Sequence, residues 1–327
     1  MTMVSLGDLA RTLLMQRNVA ATKLTIQTLS QEMSTGLTAD VTARLQGNLA
    51  PLHALDATLS RLEAFSVSAA DLQIRAEGMQ ASLARLDSSA ADLANDLATA
   101  ESGGAIGLVG MAAAGEAGFL SAVATLNTVT AGRYVFSGMN SDRAPLPVGE
   151  DMLAQLRDAT AGATTAAELQ QRIEDWFNDP ARFGYRGAAG ATVPLADGEN
   201  LVLDITAADP ALRQTLSAFA MAAMLKDSPL AMEAQAELAV AAGSALRAAQ
   251  PGLDRLAARM GQAEERIAEV QGRMSAEKAA LALARVDMLK IDEFETATRL
   301  TAAQDRLDML FAVTARLSGL KLSDYLR

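Results

Sequence analysis

The chain has 327 residues, with 28 Lys and Arg against 39 Asp and Glu and a net charge of -11. That balance leaves no basic stripe to neutralise phosphates, which argues against nucleic acid as a partner. Cysteine is absent and aromatics make up only 4%, which excludes disulfides, zinc–thiolate sites and thiol catalysis and favours long packed helices over an aromatic-rich enzyme core.

Residues 4–35 read as one helix without proline, carrying Leu6, Leu9, Leu13, Ala20 and Leu24, then Ile26, Leu29, Met33 and Leu37, with Gly36 where a helix C-cap glycine belongs. No basic run precedes its apolar residues, so the sequence predicts no secretory signal peptide. Residues 55–97 carry the cleanest pattern. Leu55, Leu59, Leu62, Phe65, Ala69, Leu72, Ala76, Met79, Leu83, Leu86, Ala90, Leu93 and Leu97 alternate three and four apart, a coiled-coil seam. The rod would be about 65 Å long. Glu101–Gly104 is expected to end it, and 108–130 to form a second, Ala- and Gly-rich helix. No uninterrupted apolar run of about 18 residues is present, so no membrane span is expected.

Gly132-Arg-Tyr-Val-Phe-Ser-Gly138 breaks the helical pattern. Gly132, Tyr134, Val135, Phe136, Ser137 and Gly138 predict a short hairpin or extended excursion. Residues 147–228 read as a compact insert of mixed character. A helix over 151–161 is followed by one opened by a Thr165/Glu168 capping box. The Asp197-Gly198 turn leads into a strand at 201–205, and Asp209-Pro210 starts a further helix. From Ser228-Pro229 a helix returns to about 249 and is expected to bend or break at Pro251-Gly252. The seam then resumes at Leu253, Leu256, Met260, Ala263, Ile267, Val270 and Met274, and again at Leu281, Ala284, Met288 and Ile291. This rod, about 58 Å long, nearly matches the first and suggests an antiparallel pair with the insert at its tip. The tail, 294–327, repeats apolar residues at Leu300, Ala303, Leu307, Leu310 and Leu317, with Val313 and Leu320 one step off. It is expected to lie beside the helix at 4–35.

No constellation for catalysis, a cofactor or a metal is visible. His53, the single histidine, stands beside Pro51 at a helix start and reads as a surface or capping residue. Gly103–Gly110 follows a helix and lacks the Lys-Ser/Thr of a phosphate loop. Asp287, Asp292, Glu293 and Glu295 are spread around a helix with Lys290 and Arg299 between them, a solvated or ion-paired face. Met15, Met33, Met79, Met260, Met274 and Met288 lie mostly on the seams and are core fillers first, though methionine also suits interfaces that must repack.

Three stretches resemble the flagellin superfamily and, within it, the hook–filament junction proteins of the flagellar hook-associated protein 3 family. They are Gln31-Glu-Met-Ser-Thr-Gly36, Ala131–Gly138 followed by Ala144-Pro145-Leu146, and the closing run Leu307–Leu326. The resemblance covers 4–146 and 229–327; Thr38–Thr42 replaces the family's usual Asp-Asp-Pro-like run. It implies a mainly α fold, a flagellin-like coiled-coil bundle of long antiparallel rods from both chain ends with a small α+β insert at the tip. The expected domains are 1–45 with 290–327 for assembly, 46–130 with 229–289 as the rod, and 131–228 as the outer insert. It further implies a non-enzymatic structural protein of the bacterial flagellum, secreted by type III export with the help of an export chaperone. Its partners would be a ring of like subunits, an adjacent hook-associated protein and flagellin. A filament subunit is the alternative within the superfamily; a cytoplasmic coiled-coil adaptor is the alternative outside it.

Overall fold

The computed structural model describes residues 6–98, 100–226 and 230–325, with side chains left aside at 6–9, 100–106, 191 and 317–325. The described chain is mainly α: ten helices, α1(Leu6–Thr35), α2(Val41–Arg44), α3(Ala50–Leu97), α4(Ala100–Leu126), α5(Gly149–Thr160), α6(Ala166–Asn178), α7(Pro180–Phe183), α8(Pro210–Ala223), α9(Met232–Leu289) and α10(Glu293–Tyr325). Two antiparallel two-stranded sheets accompany them, β1(Val129–Thr130) with β2(Arg133–Tyr134) and β3(Ala191–Ala196) with β4(Glu199–Leu203). The chain forms two compact units, 1–61 with 276–327, and 62–275.

In the larger unit, the 55–97 seam is buried as its spacing requires: Ala69, Leu72, Ala76, Met79, Leu83, Leu86, Ala90 and Leu97 are each at most 2% exposed. Helices α3 and α9 run antiparallel here. Arg247 Nη1 donates to the Ala94 carbonyl at 3.1 Å, and a side chain at Gly243 would meet Leu97 Cβ. Asp87 faces Asp254 across the pair and its Oδ1 finds no hydrogen bond; burial, then the Asp254 charge, pushes the Asp87 carboxyl above its ordinary value.

Helix α9 passes through Pro251 without a break, which removes the interruption from the two expected outcomes, a bend or a break. Proline removes one i→i−4 bond, but Leu246, Ala249 and Leu253 are all buried, and α8 approaches so closely that a Cβ at Gly252 would stand 2.9 Å from Ala211 Cβ. Burial on both sides of the proline outweighs the lost bond. Glu101–Gly104 likewise lies inside α4 rather than ending a rod; glycine weakens a helix by about 1 kcal/mol but terminates it only with a left-handed backbone or a cap. Within α4, Gly107–Leu126 is long and apolar enough to cross a membrane, with mean hydropathy 1.4, which corrects the expectation that no stretch would be. Its hydropathy comes from alanine with interspersed large residues, so a search for unbroken apolar runs misses it. The helix packs on α8 and α5, with Phe119 and Leu126 fully buried.

The insert is built as expected in α5, α6 and α8: Thr165 caps α6 through Glu168 N at 3.2 Å, and Asp209 caps α8 through Ala211 N at 3.0 Å. Strand β3 and the short α7 are additions that the sequence pattern did not reveal. Trp176, Phe177, Phe183 and Phe119 cluster, with Trp176 and Phe177 edge to face at 4.9 Å. The β3–β4 hairpin is tied to α9 by Glu199, which accepts from Arg266 at 2.6 Å and Arg273 at 2.7 Å, and by an Asp204–Arg259 ion pair.

The glycine-bracketed segment is a hairpin only in its first half. Ala131 and Gly132, at φ 50° and 76°, form the tight turn joining β1 to β2. Val135 N still donates across to Thr128 O at 3.4 Å, and Phe136–Gly138 then leaves the ladder, so the segment is a hairpin followed by the extended excursion, the two expected forms in succession. Its groups bond elsewhere: Ala207 N donates to Phe136 O at 3.0 Å, Ala188 N to Ser137 O at 2.9 Å, and Ser137 Oγ to Arg143 O at 2.6 Å. Val135, Phe136 and Ser137 are fully buried. Gly138 has φ 62°, and a Cβ there would stand 2.2 Å from the Ala188 carbonyl oxygen.

Gly138→Ala is expected to cost roughly 3 kcal/mol in urea unfolding, from the left-handed backbone plus the forced backbone shift. Gly162→Ala, at φ 76° with no neighbouring atom, should cost about 1 kcal/mol; equal losses would show that the Ala188 contact is unimportant. Asp87→Asn should raise the melting temperature at neutral pH. A folded-state pKa above the unfolded one contributes stability only at low pH and loses it as pH rises. The advantage of the Asn variant therefore shrinks as pH falls towards about 4.

Candidate functional site

The candidate site is the pair of terminal helices. Asp292 starts α10 by accepting from Glu295 N at 2.9 Å, and Gly36, at φ 72°, ends α1. The two ends are clamped beside each other. Leu37 and Lys290 form an antiparallel bridge, Thr38 N donates to Leu289 O at 2.9 Å, and Ile291 N to Gly36 O at 3.1 Å. Glu32, 8% exposed, turns back to accept from Ala39 N at 2.8 Å and Thr38 Oγ1 at 3.4 Å. The Gln31–Gly36 motif thereby acquires a physical role, because its carboxylate fixes the loop leaving α1. Asp40 then caps α2 through Ala43 N at 2.9 Å. In the same unit, Arg285 on α9 is bonded to Asp56 on α3 at 2.8 Å.

Beyond the clamp, α1 and α10 run antiparallel in contact, and Thr314 Oγ1 reaches Met15 Sδ at 3.6 Å. Counting back from that contact at equal rise brings Val19 level with Leu310, Thr22 with Leu307, Ile26 with Ala303 and Leu29 with Leu300. All eight are buried or half-buried. Lys23 lies over the Phe311 ring at 5.7 Å from its centroid. Thr22, 7% exposed, conceals its hydroxyl by donating to Asn18 O at 2.9 Å.

The structure divides the expected seam residues between two faces. Leu29, Leu300, Ala303, Leu307 and Leu310 face the partner helix. Leu13 and Leu24 point away, 57% and 64% exposed, about 160° round α1 from the paired stripe. Met33 continues the paired stripe but is 38% exposed, and Val313 is 40% exposed with Met309 beside it at 68%. The side chains of Leu6, Leu9, Leu317 and Leu320 lie outside the described residues. The sequence pattern placed Ile26 on the apolar face of α1 and Met15 among the seam methionines, but its frame, begun at Leu6, left out Val19 and Thr22; a frame begun at Met15 finds all four. All the hairpin residues lie in the larger unit and not in the terminal pair: Gly132 and Tyr134 in the turn and β2, Val135–Gly138 in the segment that follows.

Among the described residues there is no group of three or more His, Asp or Glu placed to hold a metal. His53 is exposed on the first turn of α3. Asp287, Asp292, Glu293 and Glu295 do not converge; Asp292 serves as the α10 cap.

No family model matches the chain, and no curated protein matches it. Among solved structures it is similar to a protein from Vibrio parahaemolyticus provisionally described as a flagellar hook-associated protein. That likeness has 16% identity and a TM-score of 0.49, and covers 72% of this chain and 95% of the other. A likeness this slight assigns neither fold nor function.

Leu29→Ala should open the terminal pair, since Leu29 is 3% exposed and a buried leucine lost to alanine where neighbours can collapse costs about 2 kcal/mol. Amide hydrogen exchange in both α1 and α10 should accelerate roughly 30-fold. Leu13→Ala should change it little; equal acceleration by the two variants would refute the assignment of faces.

Proposed function

We propose that the chain is a non-enzymatic structural subunit of the bacterial flagellum that forms the junction between hook and filament. The observation that carries the reading is that each terminal helix has apolar residues on two faces and a partner for one. Met15–Leu29 and Leu300–Leu310 satisfy each other, while Leu13 and Leu24 on α1 and Met309 and Val313 on α10 remain exposed. In a helical bundle of several subunits, such second faces meet those of neighbours. The order of the Gln31–Gly36, Gly132–Gly138 and Leu307–Leu326 motifs supports the junction assignment over a filament subunit.

On this reading the subunit leaves the cell through the flagellar type III apparatus, escorted by an export chaperone. It assembles as a ring of like subunits between another hook-associated protein and flagellin. Packing the outer faces of α1 and α10 supplies the apolar burial that offsets the ordering of two thinly covered helices. Residues 131–228 stay outside the assembly core.

Immunogold labelling of isolated flagella should mark a single band where hook meets filament; label along the filament or in the cytoplasm would exclude the junction role. Leu24→Asp with Met309→Asp should leave the purified monomer's melting temperature within about 2 °C, as surface changes usually do, yet abolish incorporation and motility. Normal flagella in cells carrying both changes would remove the outer faces from assembly.

A further inference from the structure

In the larger unit a groove of ≈ 440 Å³ lies between α4, the turn after α8 and the first turn of α9. Leu108, Val109, Ala112 and Ala113 line it from α4, with Leu225 and Met232 across from them and Lys226 and Gln235 as its polar members. Val109 is 72% exposed and Met232 59%, so the lips of the groove are apolar and stand in water. A small-molecule site buries most of its ligand; a groove this open suits a side chain carried on a protein surface, and methionine at the lip adapts to what enters. Lys226 brings a charge to the rim, its side chain 51% exposed; Glu116, its ion-pair partner, also holds Arg157 at 3.2 Å. The chain carries a side chain of matching character. Phe294, at the start of α10 in the smaller unit, is 85% exposed, the most of any large hydrophobic residue among those described. Glu293 and Glu295 flank it, with Asp292 before them. Phe294 belongs neither to the paired stripe of the terminal helices nor to their outer faces. Aromatic anchors ringed by charge are the side chains that dominate interfaces.

We propose that Phe294 of one copy inserts into this groove of a second copy, with its flanking carboxylates beside Lys226. The two halves complement each other in polarity and in charge: an aromatic knob in an acidic setting meets an apolar groove with a lysine at its rim. Knob and groove come from different parts of the chain, so the contact is heterologous. Each copy offers both halves, and the pairing passes from copy to copy into a ring or an open chain. One phenylalanine buries about 200 Å², far below the roughly 1,200 Å² of a stable complex. Two free molecules therefore associate weakly through it, and the contact gains strength where other faces already hold the copies together. It requires only a second copy and is independent of the junction role.

The test is methyl NMR of the full chain. Phe294→Ala protein, labelled on its methionine methyl groups, offers a groove without a knob. Its Met232 resonance, assigned by its loss in Met232→Leu, is followed while unlabelled wild type is added. The resonance should move progressively up to about 1 mM added protein, the range in which millimolar association shows, and unlabelled Phe294→Ala should leave it in place. Lys226→Glu in the labelled protein should weaken the response at least threefold, and Glu293→Lys with Glu295→Lys in the unlabelled partner should restore it. These are surface changes, and each variant should melt within about 2 °C of wild type. A Met232 resonance that wild type does not move would overturn the proposal. So would equal movement by wild type and Phe294→Ala, which would give the groove another occupant, or a response indifferent to the charge at 226. Any of these results leaves the outer faces of α1 and α10 to their own test by Leu24→Asp with Met309→Asp.

Discussion

The antiparallel contact between α1 and α10 is the constraint on which the proposed role depends. A single helix can cover only one stripe of another, about 100° wide, and both terminal helices carry apolar residues beyond that stripe. The clamp at Leu37–Lys290 sets the register, so the choice of which residues face inward is made at one end and propagated along the pair. Glu32 secures the loop that makes the clamp possible, from within a motif whose role in the sequence alone is only that of a helix end. What remains outside is not a random scatter of apolar side chains but faces at definite angles to the paired one.

The larger unit solves a different problem. Here the seam of α3 is covered within the chain, and the glycine-bracketed segment is woven into the insert by exchanging ladder bonds for bonds to residues near 188 and 207. Gly138 is needed for both its left-handed backbone and its contact with the Ala188 carbonyl, two requirements that no other residue meets together. The charged residues of α9 hold the β3–β4 hairpin from outside. These ion pairs are largely exposed and individually weak; their effect is to orient the hairpin rather than to stabilise the unit strongly. Asp87 opposite Asp254 works against the pairing of α3 with α9, and the long apolar seam on either side tolerates it.

How much was legible depended on how local each determinant is. The rods, the caps at Thr165 and Asp209, and the Asp197-Gly198 turn follow from spacing and side-chain chemistry within a few residues, and the sequence alone determined them. The mainly α class follows from the same periodicity. The fate of Pro251 and of Glu101–Gly104 was not legible, because a helix breaker acts only if packing on both sides is too weak to carry the helix past it. Nor was the division of the terminal seams into paired and exposed faces, since Leu13 and Met15 fit equally well into a stripe until a partner helix selects one frame. Sequence fixes which faces of a helix are apolar; only tertiary structure decides which of them is covered, because covering is a property of the pair and not of either helix.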